Sequence, residues 1–489
     1  TLLDIDISRL TSEALEDTGL STKDIERSKN MFVLGLLYWM YSRPMESTEN
    51  YLRKKFDGNP ELADANIKAI KKGYNFGETT EVFTSRYVVQ EADLPPGEYR
   101  NITGNRAMVL GLVTAAQKAG LDLFYGSYPI TPASDVLHGL SGLKEYGVIT
   151  FQAEDEIAAV SSCIGAAFGG KMAVTGSSGP GIALKGEAIG LATILELPLI
   201  VLNIQRAGPS TGMPTKTEQA DLLQAFYGRN GESPVAIVAP KSPADCFQMA
   251  FEAGRIALKH MIPVFVMSDG YLANGSEPWR YPQSSDIEEI EVAFEPPRKD
   301  DDEEPFLPYA RDEREVRSWA IPGTAGLEHR IGGLEKEDLT GNVSYDPDNH
   351  EKMVRVRAKK RDLIADDIPV QKVQEGKEQG KAAVIGWGST FGSIRRAVHE
   401  LRLEGEDVSQ IHIQYLSPFP QNLGELLGKY EKIIVAEIND GQLIQILRNE
   451  FGIKAHLVNK IQGRPFSVHE LKDQIMAVVN EEVKQGEEV

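Results

Sequence analysis

From about residue 100 the chain repeats one pattern: a short unbroken apolar run, a turn, then a helical stretch. The runs LDLFYGSYP, VITFQA, KMAVTGSSGPG, LPLIVLNIQR, SPVAIVAP and IPVFVMSD are nearly continuous in apolar residues rather than alternating. A strand that is apolar on both sides is buried on both sides. Between them stand RAMVLGLVTAAQKAG, ASDVLHGLSGLKEYG and EDEIAAVSSCIGAAFGG, which read as helices. Strands alternating with helices predict an α/β domain with a parallel sheet and helices on both faces.

The rhythm returns from about residue 376, where KAAVIGWGST, SQIHIQYLSPFP, EKIIVAEIN and IKAHLVNK read as strands. This predicts a second, smaller α/β domain over 376–489. Residues 281–375 break the pattern with the charge block RKDDDEEP and the polar, glycine-rich DEREVRSWAIPGTAGLEHRIGGLEKED. They are expected to form a long extended acidic connection over the surface, with NHEKMVRVRAKKRDLIADD as a helix. Residues 1–95 read as helical only, through SKNMFVLGLLYWMY, STENYLRKKF and ADANIKAIKKGYNFG, with no strand run between them. That segment looks like the end of a domain, and EADLPPGEYRNITGN like a linker into the domain at 96–280. No internal repeat is visible.

The totals narrow the function classes. A formal charge of −20 argues against a nucleic-acid face, which needs a basic surface. Cys163 and Cys246 are the two cysteines, too few for a disulfide framework or for the ligands of an iron–sulfur cluster. A cytoplasmic location is expected. MFVLGLLYWMY is too short to span a bilayer, so no membrane association is expected. No charged-then-apolar leader is visible, and a start at Thr1 reads as a fragment or processed product.

Three stretches could carry chemistry. In FYGSYPITPASD, two prolines end a strand and brace Ile130 and Thr131. The plain alternative is a strand-ending turn. TGSSGPG follows a strand, and its glycines would let backbone approach a ligand closely or only turn the chain. It is neither a Walker A sequence nor a GxGxxG fingerprint. Glu154, Asp155 and Glu156 open a helix, where the dipole favours acids in any case. Yet an acid followed by small residues and Ile164-Gly165 also resembles the segment that holds the aminopyrimidine ring in thiamine diphosphate enzymes. There a Glu hydrogen-bonds the ring, a bond that strengthens in a pocket of small apolar side chains. The spacing to Ile164-Gly165 favours Glu156 over Glu154.

YPITP, EDEIAA, TGSSGPG, IQRAGPSTGMPTKTEQADL, GWGST and YLSPFP occur in that order. Together they resemble the α subunit of the 2-oxoacid:ferredoxin oxidoreductases, most nearly the 2-oxoglutarate type, over about residues 100 to 489. The helical start more weakly resembles the end of the γ domain fused ahead of α in some members. The resemblance implies a pyrimidine-binding thiamine diphosphate domain at 96–280, a transketolase C-terminal-like domain at 376–489 and a helical γ-domain remnant before them. It implies that Thr131 meets the substrate, with Ile130 and Pro132 near the cofactor together with Ser178, Gly179 and Glu156. Arg206 is implied to hold the 2-oxoacid carboxylate, which a guanidinium can do with two parallel hydrogen bonds. Ser210, Thr211 and Lys216 are candidates for gripping a second carboxylate.

The family's diphosphate-binding GDG motif is missing. SDGYLANG has Ser in place of the first Gly and its Asn too close, and reads as a strand-end turn. The chain is thus expected to hold no metal. Mg²⁺, the diphosphate and a [4Fe-4S] cluster would sit on a β subunit that shares the cofactor. A second αβ unit, ferredoxin, coenzyme A and a 2-oxoacid complete the implied partners. The implied reaction is oxidative decarboxylation of the 2-oxoacid with coenzyme A to acyl-CoA, CO₂ and reduced ferredoxin. Two rivals stand beside it: a pyrimidine-domain chain of a lipoamide-linked 2-oxoacid dehydrogenase, and a non-catalytic scaffold subunit. Cys163 is expected to be packing, and His329 and His350 structural or interfacial.

Overall fold

The computed structural model describes residues 4–80, 85–299 and 304–481 and divides the chain into two compact units, Thr1–Pro96 and Gly97–Val489. In the first unit the described residues form helices Ile7–Leu15, Thr22–Arg27, Lys29–Met40, Glu46–Lys55 and Pro60–Thr79. Local chemistry sets their starts. The side chains of Asp6, Ser21 and Asn59 each accept a hydrogen bond from a first-turn N–H, and Pro60 opens the last helix. Lys29–Met40 packs along Pro60–Thr79 and buries Phe32 and Leu36, while Ile70 is buried from the other side. No helix of the described residues is long and apolar enough to cross a membrane.

The second unit carries strands β1 (Tyr99–Thr103), β2 (Leu123–Ser127), β3 (Val148–Gln152), β4 (Met172–Ser177), β5 (Leu199–Gln205), β6 (Ala236–Val238), β7 (Pro263–Asp269) and β8 (Ser276–Arg280). After the long connection come β9 (Val373–Glu375), β10 (Gly380–Trp387), β11 (Val408–Ile413), β12 (Tyr415–Ser417), β13 (Tyr430–Glu437) and β14 (Ala455–Asn459). A seven-stranded sheet runs β12-β6-β7-β5-β4-β2-β3 and is parallel except at β12. Every residue of β4, β5 and β7 is buried, as their continuous apolar runs require. Helices Gly104–Lys118 and Asp245–His260 cover one face, packing Met108, Leu112 and Phe251 over Val174 and Ile200. Helices Glu156–Phe168 and Gly186–Leu195 cover the other, with Val160 and Ile189 over Ala173 and Val201.

The second sheet, β14-β13-β10-β11-β9, is parallel except at β9. It shares a core with the first, since Trp387 and Ile411 lie in the same apolar cluster as Val201 and Phe265. Polar groups of residues 219–223 stitch the two: Gln219 Nε2 donates to Trp387 O (2.7 Å), Asn439 Nδ2 to Gln219 O (2.8 Å) and Gln442 Nε2 to Ala220 O (2.7 Å).

Two details differ from the sequence expectation. EADLPPGEYRNITGN is not only a linker, because it contains β1, paired antiparallel with β8. In β1 only Ile102 is buried, so the strand has no apolar run to announce it. SQIHIQYLSPFP is two strands rather than one. After Ile413 the chain leaves the smaller sheet, and β12 pairs with β6 at the edge of the larger one. Within RKDDDEEP, residues 300–303 lie outside the described residues.

The acidic connection is pinned by charge. Glu196, buried in a left-handed turn (φ 53°), takes Arg311 Nη2 at 2.5 Å and the Lys360 ammonium. Arg311 also meets Asp338 at 2.8 Å, and Arg317 Nε donates to Glu196 O at 3.3 Å. Burial pushes the Glu196 carboxyl up, but Lys360 and Arg311 outweigh it and hold the group well below the usual carboxylate range.

Candidate functional site

In an open parallel sheet, ligands bind beyond the carboxyl ends of the strands. The segments beyond β2, β4 and β5 carry most of the residues singled out from the sequence. Past β2, Ile130 is half-buried, Thr131 exposed and Pro132 buried, with a cis peptide between Thr131 and Pro132. Asn105 Nδ2 donates to Pro132 O at 3.0 Å. Past β5, the buried Arg206 donates from Nη1 to Thr131 O at 2.7 Å. The fold therefore joins Thr131 and Arg206 directly.

Glu156 is the first residue of its helix. Asp155 caps that helix by accepting from Ala158 N at 2.7 Å. Glu154 and Asp155 are exposed, whereas Glu156 is buried. Its carboxylate faces the TGSSGPG turn. A β-carbon at position 181 would stand 2.9 Å from Glu156 Oε1 and collide with Ser177 Oγ. Only glycine leaves room for both. At Gly179 a β-carbon would stand 2.8 Å from either oxygen of Asp221. Burial pushes the Asp221 carboxyl up to about 6, against the Asn203 Nδ2 hydrogen bond of 3.1 Å. Glu218 pushes it the same way as burial, and Arg206 opposes.

The residues present suit a polar ligand. Ser177 Oγ, Ser178 Oγ, Asn203 Oδ1 and Arg206 Nε are buried and meet no hydrogen-bond partner among the described residues. Ser177 and Asn203 are register partners on β4 and β5, so these atoms gather at two adjacent strand ends. Buried polar groups are normally satisfied, and such a cluster marks a place where something else supplies the partner.

Ser210, Thr211 and Lys216 are exposed along the loop after β5. That loop is tied back by Ala207 N to Lys216 O (2.9 Å) and Met213 N to Ala207 O (2.9 Å). Among the described residues no hydrogen bond or ion pair joins these three side chains to Arg206 or Thr131. Elsewhere, Asp269 of SDGYLANG caps helix Gly270–Asn274 through Tyr271 N (2.9 Å) and Leu272 N (3.1 Å), a strand-end turn. Cys163 is buried with Sγ 3.2 Å from Val174 O. His329 Nδ1 lies 2.8 Å from Leu327 O and His350 Nδ1 2.7 Å from Glu335 Oε2. Sequence reasoning passed over Asn105, Asn203, Asp221 and Lys185. The first three are polar residues next to apolar runs, and only the folded chain brings Asn105 to Pro132 O and Asn203 to Asp221.

Residues 114–344 match the family described as pyruvate flavodoxin/ferredoxin oxidoreductase, thiamine diphosphate-binding. Residues 380–471 match pyruvate:ferredoxin oxidoreductase core domain II, and residues 1–76 the pyruvate ferredoxin/flavodoxin oxidoreductase family. The 2-oxoglutarate oxidoreductase subunit KorA of Mycobacterium tuberculosis is 53% identical over 466 residues, spanning 95% of this chain and 70% of that protein. The chain belongs to the α subunits of the 2-oxoacid:ferredoxin oxidoreductases. Another member, subunit alpha of 2-oxoacid:ferredoxin oxidoreductase 1 from Aeropyrum pernix, is 29% identical over 98% of this chain and 75% of its own length. A solved 2-oxoglutarate:ferredoxin oxidoreductase from Magnetococcus marinus, with 2-oxoglutarate, coenzyme A and succinyl-CoA bound, superposes with a TM-score of 0.86. It is 31% identical, covering 96% of this chain and 80% of that one. This membership sets the α subunit among the ferredoxin-linked oxidoreductases and apart from the lipoamide-linked reading, and its larger sheet belongs to a thiamine diphosphate-binding domain.

Proposed function

We propose that this α subunit serves a 2-oxoglutarate:ferredoxin oxidoreductase and supplies the pyrimidine half of its thiamine diphosphate site. The net reaction is 2-oxoglutarate, coenzyme A and two oxidised ferredoxins giving succinyl-CoA, CO₂, two reduced ferredoxins and a proton. The observation that carries the reading is the buried Glu156 carboxylate facing Gly181, beside the Arg206–Thr131 pair at the carboxyl ends of parallel strands. Thiamine diphosphate, when bound, supplies the nucleophilic carbon and the electron sink for decarboxylation. Glu156 holds a proton position at its carboxylate, in a pocket where burial strengthens each hydrogen bond. Ile130 and Pro132 form an apolar wall, and Ser178 with the backbone at Gly179 offers polar contact. Arg206, anchored on Thr131 O, presents its unpaired Nε edge to the 2-oxoacid carboxylate. Thr131 bonds the same group. Ser210, Thr211 and Lys216 grip the distal carboxylate from their exposed loop, which would select a dicarboxylic 2-oxoacid over pyruvate.

The β subunit carries the diphosphate-binding domain, Mg²⁺ and a [4Fe-4S] cluster that passes electrons to ferredoxin, and two αβ units assemble in the cytoplasm. Residues 1–95 are the end of a γ-like domain, and 376–489 the transketolase C-terminal-like domain. The absence of a GDG motif and the count of two cysteines support that division.

The test is turnover of the assembled complex across 2-oxoglutarate, pyruvate and branched 2-oxoacids, with ferredoxin and with lipoamide as acceptors. Glu156→Gln is expected to lower turnover by about a hundredfold or more while the complex stays assembled. Unchanged turnover in that variant sinks the reading. Preference for pyruvate would overturn the substrate assignment alone.

A further inference from the structure

Lys185 is a lysine with no surface. It joins helices Gly179–Leu184 and Gly186–Leu195, and its side chain is fully buried. Its ammonium donates to Thr175 Oγ1 at 2.5 Å, with Gly176 O further off at 3.4 Å. Thr175 Oγ1 passes the chain on to Gly126 O at 2.8 Å. Among the described residues no carboxylate lies within ion-pair distance of this ammonium. A buried cation without a carboxylate partner is a standing cost to the fold, so its presence beside the site calls for a reason. Methionine would fill the same space without that cost.

The groups facing it are few. From helix Glu156–Phe168 come Cys163 and Glu156, from β4 Thr175, and from β2 the buried Tyr125 behind Cys163. Burial pushes the Cys163 thiol up to about 11, so it is neutral at ordinary pH. Burial pushes the Tyr125 hydroxyl up as well. Glu156 is the carboxylic acid among these groups, and Lys185 sits one helical turn past Gly181, the glycine that Glu156 Oε1 faces. Burial, the largest influence, pushes the Lys185 ammonium down to about 8, with Glu156 among the groups pulling it back up.

We propose that Lys185 is a positioning residue whose buried ammonium is the internal counter-charge of Glu156, stabilising that carboxylate when the cofactor ring and the partner subunit cover it. This rests on the reading that Glu156 meets the ring. An anion shut into a low-dielectric site is costly unless a cation stands near. Lys185 supplies one from inside the chain, where solvent cannot screen it and no ligand displaces it. Binding and lysine protonation are then linked in both directions. As pH rises through about 8, Lys185 loses its proton and cofactor binding should weaken.

The test is thiamine diphosphate binding, with Mg²⁺, by the assembled complex, read by calorimetry between pH 6 and 9 for wild type, K185M, E156Q and the double variant. The wild type is expected to lose affinity above pH 8. K185M should bind about tenfold more weakly at pH 7, with no decline at pH 8, a tenfold change being one unit of linked titration. In the E156Q background, K185M should change little further, because the two act as a pair. Wild-type affinity and pH profile in K185M overturn the proposal. An equal loss in both backgrounds also overturns it, since the lysine would then act through packing. If E156Q keeps full turnover, the site reading itself fails, a different result. Should K185M not assemble, T175V carries the test: loss of its hydroxyl must move the decline below pH 8, and an unmoved decline overturns the inference.

Discussion

Two buried charges in the same unit are treated in opposite ways. Glu196 is met by Arg311 and Lys360, and Arg311 in turn by Asp338, so each ion has a partner within the chain. Around Glu156 and Lys185 the buried groups are left open: among the described residues no ion pair joins them, and Ser177, Ser178, Asn203 and Arg206 each keep a polar atom without a partner. A charge network closed within one chain fixes that chain, here the long acidic connection against the larger sheet. A polar cluster left open at strand ends is stable only because it is small, and it gains most when a second molecule completes it. The contrast separates architecture from function without reference to any ligand.

The largest effect should come from breaking the closed network. Glu196→Gln leaves the Lys360 ammonium and the Arg311 guanidinium buried without their shared anion. Removing one member of a buried network costs about 3–5 kcal/mol, to be read from urea unfolding of the complex. The sign with pH follows from the depressed carboxyl. The wild type holds this contribution above the ordinary Glu value and loses it as pH falls below that toward the folded value. The stability gap between wild type and Glu196→Gln should therefore narrow under acid. An equal gap at pH 7 and pH 3 would mean that Glu196 acts by shape alone.

Much of this was legible beforehand, for physical reasons. β4, β5 and β7 are buried on both faces, so their apolar runs could hardly read as anything else. Thr131 and Arg206 were legible one by one, through the prolines and the strand end. Their hydrogen bond was not, since it joins residues 75 apart in sequence. Asn203 and Asp221 were hidden because they are 18 residues apart and meet only when the loop after β5 folds back on its own strand. Lys185 was hidden because a lysine in an apolar helix reads as a surface residue whose stem snorkels outward. β1 had one buried residue, too little signal for a strand.

On the open side, Gly181→Ala should come next in size. The added β-carbon must displace Ser177 Oγ and the Glu156 carboxylate. Overpacking of this kind costs about 1–3 kcal/mol in stability, and turnover should fall about thirtyfold, a loss of roughly 2 kcal/mol in transition-state stabilisation. Full turnover in this variant would move the reacting centre away from Glu156. Arg206→Lys should raise KM for the 2-oxoacid about tenfold with less change in kcat, because a point charge cannot hold Thr131 O and a carboxylate edge together. A fall in kcat with KM unmoved would instead make Arg206 a group used only in the transition state.

The smallest effect sharpens the comparison most. In a closed network, deleting a polar group leaves its partner stranded and destabilises. In an open one there is no partner to strand. Ser177 Oγ is buried at the end of β4 with nothing to bond to among the described residues. Ser177→Ala removes a hydroxyl that has lost its water and gained no replacement, so this chain without its partner should keep its stability or gain up to about 1 kcal/mol. The same substitution should weaken thiamine diphosphate binding in the assembled complex by a few-fold, since there the hydroxyl has something to meet. Thermal unfolding of the isolated chain and calorimetry of the complex should thus move in opposite directions. If Ser177→Ala destabilises the isolated chain as a closed-network deletion does, the hydroxyl is structural and the division between the two regions fails at that residue.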